Sequence, residues 1–289
     1  MPGPTIAVAP IVGTNASGNA SVTLNSCVKD GTVVLAIGTD FDTVTFGDPT
    51  CTGETPHLRG TKSLTNWGGT NASWQFADCV IQTAGNKTFT AAGFGVGEDS
   101  QIFGMQFNET LTFDKDGEYI SLSGAANQST SIVTDTDHEA IIALISNTGG
   151  DATAGAGGFV HFNADDGYMT SDGEYLLDGG TAGTVSVPFV HVAASKVLIK
   201  SGAWRLSGPT ISGVTKNNAG AIVGSCDVFL FQYNSGTTTL TQVGYMVSDP
   251  TTGAYSFTPP DSTATYMTAA FKAGSPNVFD VTDHNLQQI

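Results

Sequence analysis

The sequence predicts an all-β protein in two parts: a large β-rich N-terminal domain over residues 1–206 and a small β-sandwich over residues 207–289. Three observations carry this reading. Charged residues make up 12% of the chain and Lys plus Arg number 10. The helix-forming Lys, Glu and Arg are therefore scarce, and Thr, Ser, Asn and Gly, which suit pleated faces and turns, must cover the surface. All 11 prolines lie at or before Pro56 or from Pro188 onward, and the proline-free stretch between them suits a continuous ladder, because central strands exclude that residue. Beyond Pro209, short alternating runs are separated by turn signals at the roughly 8–12-residue spacing of a β-sandwich. With 40% hydrophobic residues in 289, the chain has enough apolar side chain to fill a real core.

Taken in order, the start Met1-Pro-Gly-Pro4 disfavours both helix and central strand, and it is expected to be an arm lying across a neighbour. On that reading residues 1–12 are dispensable for the fold. The run from Trp74 to Ile81 alternates as a strand does. Two decapeptides, Lys115–Gly124 and Ser171–Gly180, are near copies 56 residues apart, and they read as a Gly turn feeding a strand, used twice. An internal repeat, an irregular β-solenoid or two similar hairpins would each produce such a pair. The absence of a fixed short period favours the last two, so the N-terminal domain is expected to be sandwich-like or jelly-roll-like, or an irregular β-solenoid. Asp137–Ile145 has an apolar run compatible with helix or buried strand, and its length favours strand.

The domain boundary falls near Ser207–Pro209. After it come Ile211-x-Gly213-x-Val, an Asn/Gly turn, Gly220-x-x-Val223-x-x-x-x-Asp227-Val-x-Leu230, and Asp249-x-x-x-Gly253-x-Tyr255-x-Phe257. This order resembles the carboxypeptidase regulatory-like, prealbumin-like modules, with Ala221-Ile222 replacing the family's usual small residue or proline before the second strand. The resemblance implies an Ig-like β-sandwich and leaves function open, because such modules occur in secreted enzymes, cell-surface proteins and virion proteins alike.

Charge excludes several function classes. The net charge is −16 and no basic patch is visible, which argues against nucleic acid, whose phosphates are held by clustered Lys and Arg. Neither a signal peptide nor a membrane span is expected, since no charged start with an apolar run and no long apolar segment occurs. Cys27, Cys51, Cys79 and Cys226 are spaced neither for a disulfide framework nor for a zinc site, and free buried thiols are expected.

Acidity is concentrated between Glu98 and Asp178, where 15 Asp and Glu face one basic residue, Lys115. Such a segment repels itself unless cations or a basic partner are near. Asp114 and Asp116 with Glu118, Asp135 and Asp137 with Glu139, and Asp165 and Asp166 with Asn163 are candidate Ca2+ ligands, since hard cations take six to eight oxygens. The alternative is that they are solvated turn carboxylates. Trp67 and Trp74 flank a Gly-rich loop and are candidate glycan-stacking residues, with core packing as the competing fate. No zinc spacing, nucleophile elbow or phosphate loop is present, so no catalytic or cofactor residue is assigned and the chain reads as a non-enzyme.

Taken together, the chain resembles a structural protein of a tailed-bacteriophage virion. That resemblance implies a capsid decoration, minor tail or fibre protein that folds in the host cytoplasm and works outside it. Its implied partners are other virion proteins, itself as a homo-oligomer or lattice, and host-surface glycans bound weakly and multivalently. A secreted or cell-surface adhesive or carbohydrate-binding module is the alternative.

Overall fold

A computed structural model describes residues 3–39, 44–66, 71–121, 126–147, 152–163, 171–191, 196–207, 211–217, 219–234, 238–257, 265–272 and 278–282. The chain divides into two compact units, Met1–Leu206 and Ser207–Ile289. Both are built from antiparallel strands, and the fold class is all-β of sandwich type.

Among the described residues the first unit contains sixteen strands. The first eight are β1 (Ile6–Asn15), β2 (Ser21–Cys27), β3 (Thr32–Thr39), β4 (Gly47–Thr50), β5 (His57–Asn66), β6 (Asn71–Val80), β7 (Gly85–Ala92) and β8 (Ser100–Phe107). They form a five-stranded sheet, β1-β8-β3-β6-β5, facing a three-stranded sheet, β2-β7-β4. The next eight are β9 (Leu111–Ser121), β10 (Ser129–Thr134), β11 (Ala140–Asn147), β12 (Thr153–Ala154), β13 (Val160–Asn163), β14 (Ser171–Leu176), β15 (Gly183–Val190) and β16 (Val197–Leu206). Their sheets, β9-β16-β11-β14-β13 and β10-β15-β12, repeat the first set strand for strand. Each set is a jelly-roll-like sandwich, so the unit is an internal duplication and not a solenoid.

Detail extends the correspondence. Asp30 and His138 both precede the third strand of their sandwich in a left-handed backbone conformation, with φ of 64° and 62°. Ala91 N donates to Ala20 O and Phe189 N to Gln128 O, both at 2.9 Å, at matching places.

Three hydrophobic layers hold the unit together. One fills the first sandwich, with Val22, Leu24, Leu35, Ile37, Phe89 and Ile102 among its members. Another fills the second, with Ile132, Ile141, Ile145, Val187, Phe189 and Ile199. The middle layer joins the two larger sheets face to face through Val34, Trp74, Phe103, Ile142, Leu144 and Trp204. Alternation along a strand explains the rest: Val33, Leu35 and Ile37 of β3 enter their own sandwich while Val34 and Ala36 enter the middle layer. For this reason β3 and β11 are buried at every position, and the alternation of β6 separates two buried faces.

Two expectations are corrected here. Residues 6–12 belong to β1, which pairs with β8, and Thr5 donates through N and Oγ1 to Glu109 at 2.8 and 2.6 Å. From Thr5 onward the start of the chain is therefore part of the first unit's own fold, and Gly3 packs against Leu177. The only proline in β1, Pro10, sits where the register shifts, the place an edge strand tolerates it. The twin decapeptides are neither turns nor the mark of the duplication: β9 and β14 occupy different positions in the second sandwich, and Gly117 and Gly173 lie inside them, paired with Ser201 and Leu144. A Cβ at Gly173 would lie 1.9 Å from the Phe162 ring, and one at Gly117 would lie 2.7 Å from Ser131 O. Close packing explains both glycines. The segment ending at Ile145 is strand β11, as its length indicated.

In the second unit, β17 (Ile211–Val214) pairs with β20 (Ala254–Phe257), and β19 (Thr239–Val247), β18 (Asp227–Asn234), β21 (Thr265–Lys272) and β22 (Val278–Thr282) form a four-stranded sheet in that order. Its core includes Ile211, Val228, Leu230, Tyr255, Phe257 and Tyr266. Asp249 Oδ1 accepts from the Thr251 and Thr252 amides at 2.8 and 2.7 Å, and Gly253 has φ of 65°, which makes the turn that the Asp-to-Gly spacing requires.

Candidate functional site

The carboxylates singled out as calcium candidates are engaged by the protein itself. Asp116 Oδ2 accepts from Lys200 Nζ at 2.5 Å and from Thr61 N at 2.8 Å. Desolvation pushes this carboxyl up, but the Lys200 ammonium and the Thr61 donors more than offset it and hold the group below its ordinary value. Asp135 pairs with Lys115 at 2.5 Å, Asp137 accepts from Ala182 N at 2.7 Å, and Asp114 accepts from Asp135 N at 3.3 Å. Glu118 accepts from Ser63 Oγ at 2.6 Å, and Glu139 accepts from Thr136 N at 2.8 Å. Among the described residues, no three His, Cys, Asp or Glu side chains converge as metal ligands. Asp165 and Asp166 lie outside the described residues, as does Trp67.

Trp74 is corrected as a glycan platform. It is fully buried in the middle layer, with Nε1 donating to Ser146 Oγ of the second sandwich at 2.7 Å. Trp204 of the second sandwich returns the tie, its Nε1 donating to Asp78 Oδ2 of the first at 3.0 Å. Trp74 and Asp116 thus register the two sandwiches against each other, and neither faces a ligand.

The arrangement that does open to solvent is a cleft of about 260 Å3 at the seam between the sandwiches. His57 and Arg59 of β5, Asp78 and Cys79 of β6, and Leu111 and Phe113 of β9 contribute to its lining. His57 and Arg59 are two apart on one strand and share a face, with Leu58 between them turned to the first core. His57 lies directly opposite Asp78 in the ladder. Arg59 Nε donates to Asp78 Oδ1 at 2.8 Å, with the arginine side chain 39% exposed and the aspartate 6%. Since Trp204 occupies the other Asp78 oxygen, the carboxylate is a fixed anchor for the guanidinium. His57 Nδ1 is 3.2 Å from Asp48 Oδ2. The Leu58 amide, aided by His57, holds the Asp48 carboxyl below its ordinary value. Burial in the first core pushes the Cys79 thiol up to about 12, so it is neutral and not a nucleophile of the cleft.

The sequence reading missed this cleft. Its one local signal was His57-x-Arg59, an imidazole and a guanidinium on one strand face in a chain with few basic residues. Neither Asp78 nor Phe113 could be placed beside them without the fold.

No family model and no curated protein sequence matches the chain. Among solved structures, a pilus adhesin from Streptococcus pneumoniae is similar at 10% identity and a TM-score of 0.16, over 91% of this chain and 30% of that one. The chain spans under a third of that adhesin's length. Among the described residues, no helix is long and apolar enough to cross a membrane.

Proposed function

We propose that this chain is a non-catalytic structural protein that works by assembly and weak multivalent surface binding, in the specific form of a tailed-bacteriophage virion component. The observation that carries the reading is the first unit's architecture. Four sheets are stacked around three apolar layers, with side-chain hydrogen bonds crossing the middle one, which makes a stiff block of the kind suited to repeated packing. A second feature supports self-association. Strand β19 lies at the edge of its sheet, and its nine residues, TLTQVGYMV, carry no charge and no proline. Natural proteins use such residues to block edge pairing, and an edge without them is a template for another chain.

On this reading residues 1–206 make the assembly contacts, and the module 207–289, with its resemblance to prealbumin-like modules, is displayed or docks. The protein folds in the host cytoplasm and acts on the particle outside the cell. The secreted or cell-surface adhesive alternative shares the block and the module and differs in what carries them. Electron microscopy of purified particles with an antibody to 207–289 tests the proposal. Regular labelling on capsid, tail or fibre is expected, and its absence, or turnover of glycans by the purified chain, overturns it.

A further inference from the structure

We infer that the seam cleft is a binding site for a carboxylate on a small, partly apolar ligand, with Arg59 as the recognising residue. Among the described residues, Arg59 makes one polar contact, through Nε to Asp78. The guanidinium carries five N–H donors, so its two terminal nitrogens keep their donors for a ligand. Fixing Nε on a buried carboxylate that is itself held by Trp204 Nε1 points the terminal pair outward and removes much of the side-chain entropy that an arginine otherwise loses on binding. A guanidinium fork held in this way matches the two oxygens of a carboxylate. His57 stands on the same strand face, and its Nδ1 is taken by Asp48, which leaves Nε2 as the imidazole's free polar atom.

The remaining walls select what carries the carboxylate. Phe113 and Leu111 offer apolar contact. The volume of about 260 Å3 lies just under the roughly 300 Å3 at which drug-sized pockets begin, so the ligand is one ring or its equivalent. The net charge of −16 opposes anions at long range. At physiological salt that field is screened over about 8 Å, and the short-range fork decides binding, giving affinities of ~0.1–10 mM. This inference goes beyond the proposed function and stands on the cleft alone. An acidic sugar and an aromatic acid present the same chemistry to Arg59.

The test is ligand titration followed by heteronuclear NMR of the full chain, with sodium glucuronate, sodium benzoate, glucose and sodium chloride at constant ionic strength. Saturable shifts of Arg59 and His57 signals with glucuronate or benzoate, and none with glucose or chloride, are expected. The preferred acid tells which source the site fits. Arg59→Lys, which keeps the charge and the contact to Asp78 but loses the fork, is expected to weaken binding at least ~10-fold. His57→Gln, at a half-exposed position, is expected to weaken it a few-fold with the melting temperature unchanged. No saturation by either acid at 50 mM overturns the proposal, as does equal binding by the wild type and a folded Arg59→Lys protein. Either failure leaves particle labelling, and so the structural reading, untouched.

Discussion

The two sandwiches of the first unit share a strand order and each has a buried ion pair, Lys87–Glu54 in the first and Lys200–Asp116 in the second, but they hold their buried glutamates differently. In the first, Glu54 is matched by Lys87 at 2.5 Å, with 0% and 9% of the two side chains exposed, and Asp78 is matched by Arg59. The Glu54 hydrogen bond holds the Lys87 ammonium above its ordinary value. In the second, Glu174 and Glu139 are buried against neutral donors. Glu174 Oε2 accepts from Gly155 N at 3.3 Å, and Oε1 has no hydrogen-bond partner among the described residues. Burial pushes the Glu174 carboxyl up to about 8 and also raises Glu139. One topology therefore accommodates a buried glutamate paired with a lysine in one copy and buried glutamates held by neutral donors in the other. A strand order fixes where side chains go and leaves open how their charge is balanced.

The comparison is broken most severely through the layer the sandwiches share. Trp204→Ala removes a fully buried indole and the donor to Asp78, and a loss of about 4 kcal/mol is expected. Calorimetry is expected to show one transition, lowered as a whole. Two separated transitions would mean that the sandwiches melt independently and that the middle layer is not a shared core.

The next effect belongs to the first sandwich. Lys87→Met leaves Glu54 buried without its cation, and a loss of ~3 kcal/mol is expected. Adding Glu54→Gln removes the stranded charge and is expected to recover most of it. Denaturant melts of the single and double variants decide this, and a double variant no better than the single one would place the role of Lys87 in packing. The second sandwich has Val185 at the equivalent position and needs no such pair.

A smaller, pH-dependent effect marks the second sandwich. Glu174 has an ordinary value of 4.5 and a folded value of about 8. Between these limits the unfolded chain has released its proton while the folded chain keeps it. Stability therefore falls as pH rises through that window, by at most about 1.4 kcal/mol per pH unit, and levels off above it. Glu174→Gln removes that slope. The variant is expected to match the wild type at pH 4 and to exceed it at pH 9, with about 5 kcal/mol, the full shift at about 1.4 kcal/mol per unit, as the ceiling. Parallel stability profiles for the two proteins would show that the carboxyl is solvated.

The smallest expected effect is none at all. Asp114, Asp116, Asp135 and Asp137 are already engaged by Lys115, Lys200 and backbone amides, so chelation at fixed ionic strength is expected to leave the melting temperature unchanged. A drop on chelation would restore a structural cation to the second sandwich.

By itself the sequence determined what depends on neighbours along the chain. The β class followed from composition, strand β11 from the length of its apolar run, and the Asp249–Gly253 turn from its spacing. The new strand pattern that follows Ser207–Pro209 begins where the two compact units divide. Tertiary structure alone decided which strand faces are covered, because that depends on residues far apart in the chain. Equivalent positions of the two sandwiches hold Lys87 and Val185, Phe103 and Lys200, or Asp78 and Tyr175, so the duplication is preserved in pairing and burial and is nearly invisible as residue identity. The likeness of the twin decapeptides reflects two strands that each need a glycine against a neighbour and says nothing of the duplication. Trp74 and Asp116 carried the composition of ligand-binding residues, and the apposition of the two large sheets made them ties across a shared core. The same apposition brought Phe113 of β9 beside Arg59 and Asp78, because a cleft lined from both sandwiches exists only once they are packed.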